Sequence, residues 1–242
     1  MWVVVGASAG LGRALAERLA EDHRSLLVVA SDERDLVPLG AELGITSGAD
    51  VRTLAHDAAD HAGLAERIDR ALGEAELEGL LFPIGSVRDD DTGDLDGAEA
   101  EDLVRINLLS IVSVTSRLVP RMVAQGRGSI VGFGSIAAAR GRSRNVLYAA
   151  CKRGLESYFE SLRHRCERHG ITVAWYVLGY VDTNQSFGRP LLLSAADPAT
   201  LARRICGDLG RARGRHYLPR AWRMVALFLR CLPWTVFRRV EA

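Results

Sequence analysis

The sequence predicts an α/β protein built on one doubly wound parallel sheet with helices on both faces. Three observations point there: short apolar runs recur along the chain, helical patterns lie between them, and a glycine-rich turn joins the first run to the first helix. The runs at 2–5, 26–30, 79–82, 129–133 and 172–177 lack polar alternation, as strands covered on both faces do. Helical patterns occupy 11–21, 62–73, 99–125 and 147–169. Alternation at this spacing implies right-handed crossovers within a single sheet.

The 242 residues suit one domain, and 48% hydrophobic content is enough for a sizeable core. The expected division is 1–216 as that domain and 217–242 as a basic tail that does not fold independently. A net charge of +1 argues against a generic nucleic-acid binder. Cys151, Cys166, Cys206 and Cys231 are widely spaced, with neither a disulfide framework nor a zinc-ligand spacing. With Trp2-Val3-Val4-Val5 already strand-like, no targeting segment is expected, and the cysteine usage suits a reducing cytoplasm. No run of 18 apolar residues occurs, so no membrane span is expected. Residues 183–200 form a long Gly/Pro/Ser-containing segment with an apolar patch at Leu191–Leu193, and a loop of that length is expected to be functional or disordered.

After the first strand comes Gly6-Ala7-Ser8-Ala9-Gly10-Leu11-Gly12, and a helix follows at once. Glycines let the backbone approach a pyrophosphate, and the helix N-terminus supplies free N–H groups and a positive dipole end. Between first strand and first helix, this Gly-x-x-x-Gly-x-Gly turn predicts a Rossmann-type dinucleotide site. A tight βα turn without a ligand is the plainer alternative.

The chain has thirty arginines and one lysine, Lys152, four residues after Tyr148. On a helix these two share a face. A phenol beside a fixed positive charge is expected to have its pKa lowered toward neutrality, making a proton donor and acceptor. A surface lysine next to a half-buried tyrosine would show the same spacing.

With the glycine turn and Tyr148-x-x-x-Lys152 together, residues 3–183 resemble the short-chain dehydrogenase/reductase family. By this resemblance Gly6, Ser8, Gly10, Leu11 and Gly12 form the cofactor loop, Ser31 and Asp32 meet the ribose, and Asp57 holds the adenine. Gly85 follows the fourth strand, and Val181 and Thr183 meet the nicotinamide. Tyr148, Lys152, Ser135 and Asn107 are the implied catalytic residues, Ser135 lying thirteen residues before Tyr148. Tyr148 would protonate a carbonyl oxygen, Lys152 would lower its pKa and grip the ribose, Ser135 would orient the carbonyl, and Asn107 would hold a water. The implied cofactor is NADH or NADPH. Asp32 favours NADH, while Arg34 is placed to reach a 2′-phosphate. Val5, Phe82-Pro83-Ile84-Gly85 and Leu178-Gly179 depart from the family pattern. A homodimer or homotetramer through the helices at 99–125 and 147–169 is also implied.

Residues 211–242 hold eight arginines and one acid, Glu241. Trp222, Val225, Ala226 and Leu229 make an apolar helix face, with Arg223 and Arg230 opposite. Such a helix suits either packing on the protein or peripheral contact with the inner face of a membrane. Leu229-Arg230-Cys231-Leu232-Pro233, Phe237-Arg238-Arg239 and Asn145-Val146-Leu147-Tyr148 are similar to the decaprenylphosphoryl-2-keto-ribose reductase branch. That resemblance implies a lipid-linked keto-sugar substrate, a partner flavoenzyme oxidase and a place in cell-envelope glycan synthesis. Reduction of 3-oxoacyl or small ketones is the alternative within the same chemistry. A catalytically silent dinucleotide-binding regulator is the alternative outside it.

Overall fold

The computed structural model describes residues 1–182 and 195–239. Seven parallel strands form one sheet: β1 (Trp2–Val5), β2 (Leu26–Ala30), β3 (Val51–Ala55), β4 (Gly79–Phe82), β5 (Gly128–Ser135), β6 (Ile171–Leu178) and β7 (Gly214–Leu218). Their order across the sheet is β3-β2-β1-β4-β5-β6-β7, all pairs parallel. The chain winds outward from β1 to β3, returns to place β4 beside β1, and winds outward the other way. Ligand crevices open where the winding reverses, outside the carboxyl ends of the strands.

The helices are α1 (Gly10–Glu21), α2 (Glu33–Ser47), α3 (His61–Leu72), α4 (Gly97–Val104), α5 (Ser110–Gln125), α6 (Val146–Cys166), α7 (Pro198–Asp208), α8 (Trp222–Cys231) and α9 (Trp234–Phe237). Alternate strand residues feed two cores. Val3 and Val5 pack with Ile68 of α3, Ile111 and Leu118 of α5 and Phe159 of α6. Trp2 and Val4 pack with Leu15 of α1, Leu39 of α2 and Ile205 of α7. Each fully buried aliphatic side chain contributes roughly 1.5–3 kcal/mol, so these two layers hold the sheet between the helices.

The doubly wound sheet is as expected, and its five inner strands fall where the apolar runs lie. The expected pattern lacks β3, β7, α2 and α7. The two strands are the sheet edges, where Arg52, Thr53 and Arg215 are exposed, so neither needs a continuous apolar run. Helix α2 forms despite Pro38, because Asp32 accepts from the Arg34 N–H at its start and Gly48 ends it in the left-handed region. The expected helix at 99–125 is α4 and α5 joined by a π-helical turn, Arg105–Leu109. By length and composition Gly97–Gln125 is apolar enough to cross a membrane, although no uninterrupted apolar run is present. Here Leu103, Ile111, Val114, Leu118 and Met122 are buried in the protein. Tyr217 and Leu218, expected to open the tail, complete β7 by pairing with Val177 and Leu178.

Candidate active site

At the β1–α1 turn Gly6 and Gly10 have φ of +95° and +51°, a region that costs other residues dearly. A Cβ on Gly12 would lie 1.8 Å from the Gly6 carbonyl oxygen, so α1 can start this close to the strand only with glycine there. No side chain caps α1 at Ala9 and no acid stands in its first turn. Its amide donors and dipole therefore face a crevice of about 830 Å³ whose wall includes Gly6, Ser8, Gly10, Leu11 and Gly12. The crevice passes Ser31 and Asp57 beyond β2 and β3, then Gly85 beyond β4, and reaches Ser135, Tyr148, Lys152 and Val181. An uncapped helix start midway along such a crevice, with polar groups at one end and the phenol at the other, fits an extended dinucleotide.

Asp32 is not on the crevice wall. It caps α2 and pairs with Arg34 at 2.6 Å, whose hydrogen bonds hold its carboxyl down at about 2. In this structure the acid expected to favour NADH and the arginine expected at a 2′-phosphate pair with each other at the surface, and Ser31 is on the crevice wall. Thr183 and the Leu191–Leu193 patch lie outside the described residues.

Tyr148 and Lys152 occupy the first turns of α6, with Nζ 5.7 Å from the centre of the phenol ring. Lys152 is buried and its ammonium donates to the Ile84 carbonyl at 3.2 Å. A Cβ on Gly85 would come within 3.4 Å of that Nζ and 3.2 Å of Asn107 Oδ1. At the end of β5, Ser135 Oγ accepts from the Ala137 N–H at 3.1 Å, and its hydroxyl acts on the phenol to lower its pKa. The expected lowering of the tyrosine pKa is not what the fold produces by itself. Burial pushes Tyr148 up to about 12, against the pull of the Ser135 hydroxyl. Burial likewise pushes Lys152 down to about 8. Desolvation outweighs the pairing because no hydrogen bond joins the two groups. The phenol is consequently protonated at neutral pH, the form a proton donor requires.

Asn107 sits in the π-helical turn, fully buried. Its Nδ2 donates to Ser86 O at 2.9 Å and Leu103 O at 3.0 Å, and its Oδ1 accepts from Ser86 N at 3.0 Å. It thus fixes the Gly85–Ser86 strip under Lys152. π turns commonly mark such functional kinks.

Asp91 is a site residue that sequence reasoning missed. Asn145, the residue before α6, is left-handed at φ +54° and its side chain does not cap the helix. The buried carboxylate of Asp91 takes that place, accepting from the Leu147 N–H at 3.0 Å and the Tyr148 N–H at 2.9 Å. A negative charge at a helix start also favours the dipole. Asp91 closes an acidic run, Asp89-Asp90-Asp91, more than fifty residues upstream, and no local pattern marks one of the three.

Helix α8 packs against the far rim of the crevice. Trp222 is buried edge-to-face on Tyr180, ring centres 5.3 Å apart. A Cβ on Gly179 would lie 1.8 Å from the Trp222 indole nitrogen, which accounts for the glycine in Leu178-Gly179. Arg140, in the loop between Ser135 and Tyr148, donates to Leu229 O at 2.8 Å and to Leu232 O, and lies 4.1 Å over the Phe237 ring. The face expected to be apolar, Trp222, Val225, Ala226 and Leu229, is the packed one. Met224, Leu227, Phe228, Trp234 and Val236 are left exposed.

The chain matches the short chain dehydrogenase family model over residues 1–188. It is 28% identical to the Escherichia coli (strain K12) 3-oxoacyl-[acyl-carrier-protein] reductase FabG over 184 residues, 76% of this chain and 74% of that one. It is 26% identical over 239 residues to an uncharacterized oxidoreductase of Mycobacterium tuberculosis (strain ATCC 25618 / H37Rv), covering 98% and 96% of the two chains. Its fold matches a short-chain dehydrogenase from Sphingobium yanoikuyae in complex with NADPH, with TM-score 0.83, 23% identity and 96% of each chain covered. With the glycine cradle and the Ser135–Tyr148–Lys152 cluster at the same sheet edge, the protein belongs to the short-chain dehydrogenase/reductase family of NAD(P)-dependent oxidoreductases.

Proposed function

We propose that the protein reduces a ketone carried on a long apolar chain, working at an anionic membrane surface. The observation that carries this reading is the position of α8 and α9. The inner face of α8 packs on Ile136 and Tyr180, which line the catalytic crevice, and the outer face of the two helices exposes Met224, Leu227, Phe228, Trp234 and Val236 among Arg220, Arg223, Arg238 and Arg239. Apolar side chains ringed by arginines suit the boundary between headgroups and acyl chains, here next to the site.

NADH or NADPH, when bound, supplies the hydride. The protein's own groups do the rest. Ser135 and Tyr148 would hold the carbonyl oxygen, and Tyr148 would give it a proton. Lys152, held by Ile84 and backed by Asn107 and Ser86, would hold the ribose and return a proton to the phenol. Preorganised donors aimed at the developing oxyanion supply most of the rate.

A 3-oxoacyl thioester is the first substrate class to test, because relatives with that activity in their names share the catalytic region. A polyprenyl-phosphoryl keto-pentose is the second. The tail supports it through the exposed apolar side chains and arginines of α8 and α9, which suit a lipid-linked phosphate. On that second reading a flavoenzyme oxidase would be the functional partner.

The test is NADH and NADPH oxidation with 3-oxoacyl thioesters of rising chain length and with a short-chain polyprenyl-phosphoryl 2-keto-pentose, Tyr148→Phe serving as the blank. Turnover by the wild type alone is expected. A blank as active as the wild type would overturn the mechanism. Cosedimentation with phosphatidylglycerol vesicles should fall when Leu227, Phe228 and Trp234 are all changed to Glu, and unchanged sedimentation would overturn the membrane role.

A further inference from the structure

Three arginines lie between Ser135 and Tyr148, and the fold treats them differently. Arg140 is held by the Leu229 and Leu232 carbonyls and the Phe237 ring. Arg144 is exposed to solvent. Arg142 is half-buried and lines the catalytic crevice with Ser135, Asn145, Tyr148 and Tyr180. Among the described residues only two buried side-chain polar atoms have no hydrogen-bond partner, Arg142 Nε and Tyr176 Oη. Tyr176 belongs to the core, stacked between Phe133 and His216 and away from the crevice wall. None of the ion pairs among the described residues uses Arg142, although most arginines of this chain sit beside a carboxylate.

A guanidinium taken partly out of water without a partner is costly, and such a group is retained where a ligand completes it. Burial, with Arg144 nearby, pushes its pKa down, so an anion entering beside it would reverse an existing penalty. The planar fork of an arginine suits the paired oxygens of a phosphate ester.

We propose that Arg142 binds a phosphodiester carried by the substrate, making the ketone pocket also an anion subsite. This rests on the reductase reading above and deepens it. The phosphodiester has two possible sources, a lipid-phosphoryl sugar or the phosphopantetheine arm of an acyl carrier. Its place is distinct from the α1 amino terminus, where the cofactor's own pyrophosphate belongs.

The test uses the full chain saturated with NADPH, so that the α1 site is already filled. Binding of dimethyl phosphate and of neutral trimethyl phosphate is followed by saturation-transfer NMR in the wild type, Arg142→Gln and Arg142→Lys. Cofactor affinity and melting temperature report that each variant is folded. The expected result is saturable binding of the anion but not of the neutral ester. Affinity should fall about tenfold or more in Arg142→Gln and be partly kept in Arg142→Lys. Equal affinity in wild type and Arg142→Gln, or no saturable binding by the wild type, overturns the subsite. Repeating the titration with a farnesyl-phosphoryl pentose and with the methyl phosphodiester of phosphopantetheine identifies the source, as the one that loses affinity in Arg142→Gln. Binding is read without turnover. Anion binding through Arg142 in a protein that oxidises no cofactor with any ketone would refute the reductase reading alone. Ketone turnover with unchanged phosphodiester affinity in Arg142→Gln would refute the subsite alone.

Discussion

Helices α1 and α6 both begin at the carboxyl edge of the sheet, yet their amino termini are treated in opposite ways. The start of α1 has no side-chain cap and no acid in its first turn, and it faces the crevice. The start of α6 is closed by the buried Asp91 carboxylate, brought from a distant loop. Every helix start presents the same unpaired donors and the same dipole. One is left for an anion from outside, while the other is satisfied from within and so can hold a catalytic phenol still. The first end is built to bind and the second to position.

The comparison can be broken from either side. The largest effect is expected at the open end. Gly12→Val would drive a side chain into the Gly6 carbonyl and push α1 off the turn. NADH and NADPH affinity should fall by about a hundredfold or more, given a binding site whose contacts depend on sub-ångström placement. Cofactor fluorescence titration checks this, with circular dichroism to confirm that the sheet persists. Affinity within a few-fold of the wild type would mean that α1 is not the pyrophosphate site.

At the closed end Asp91→Ala should cost about 1–2 kcal/mol of stability, the scale of a lost helix cap. It should also lower kcat more than it changes cofactor affinity, because Tyr148 loses the anchor of its own N–H. Denaturant midpoints and steady-state kinetics read the two effects. Asp91→Asn, which retains an acceptor oxygen, should fall between. A loss of cofactor binding equal to the loss of kcat would erase the distinction between the two ends.

A third effect is a pH dependence of the cofactor-free protein. Lys152 has its folded pKa at about 8, below its ordinary 10.5, so the unfolded chain binds the extra proton between those values. Stability therefore gains from Lys152 as pH rises from about 8 to about 10.5. Tyr148, raised to about 12 from 10.0, works in the other direction above pH 10, where the unfolded phenol ionises first. Melting temperatures across this range should show the rise in the wild type and its absence in Lys152→Met. A rise unchanged by the substitution would place its origin in another group.

The sequence displays β1, β2, β4, β5 and β6 clearly because each is buried on both faces, so apolar residues must run without a break. It hides β3 and β7 because an edge strand is satisfied with Arg52, Thr53 or Arg215 facing water. The glycine turn and the Tyr148–Lys152 pair are legible because their chemistry needs those residue types at fixed spacing. Asp91 and Arg142 are not, since one is distinguished from Asp89 and Asp90, and the other from Arg140 and Arg144, only by where the loop points it. The Asp32–Arg34 ion pair is equally illegible, because spacing along the chain does not show which two side chains meet. The rise in the Tyr148 pKa is hidden for a related reason, since spacing reports a neighbour's charge but not the water lost by both groups.

The bonds from Arg140 to the end of α8 have a consequence for energetics between distant places. They join the loop that follows Ser135 to the helix whose outer face is proposed to meet lipid. Whatever factor a vesicle adds to substrate affinity through this joint, the substrate must add to vesicle affinity, because the coupling free energy is one quantity read from two ends. A tail that rests more firmly on the membrane when the pocket is filled would let the protein dwell where substrate is plentiful and depart once it is spent.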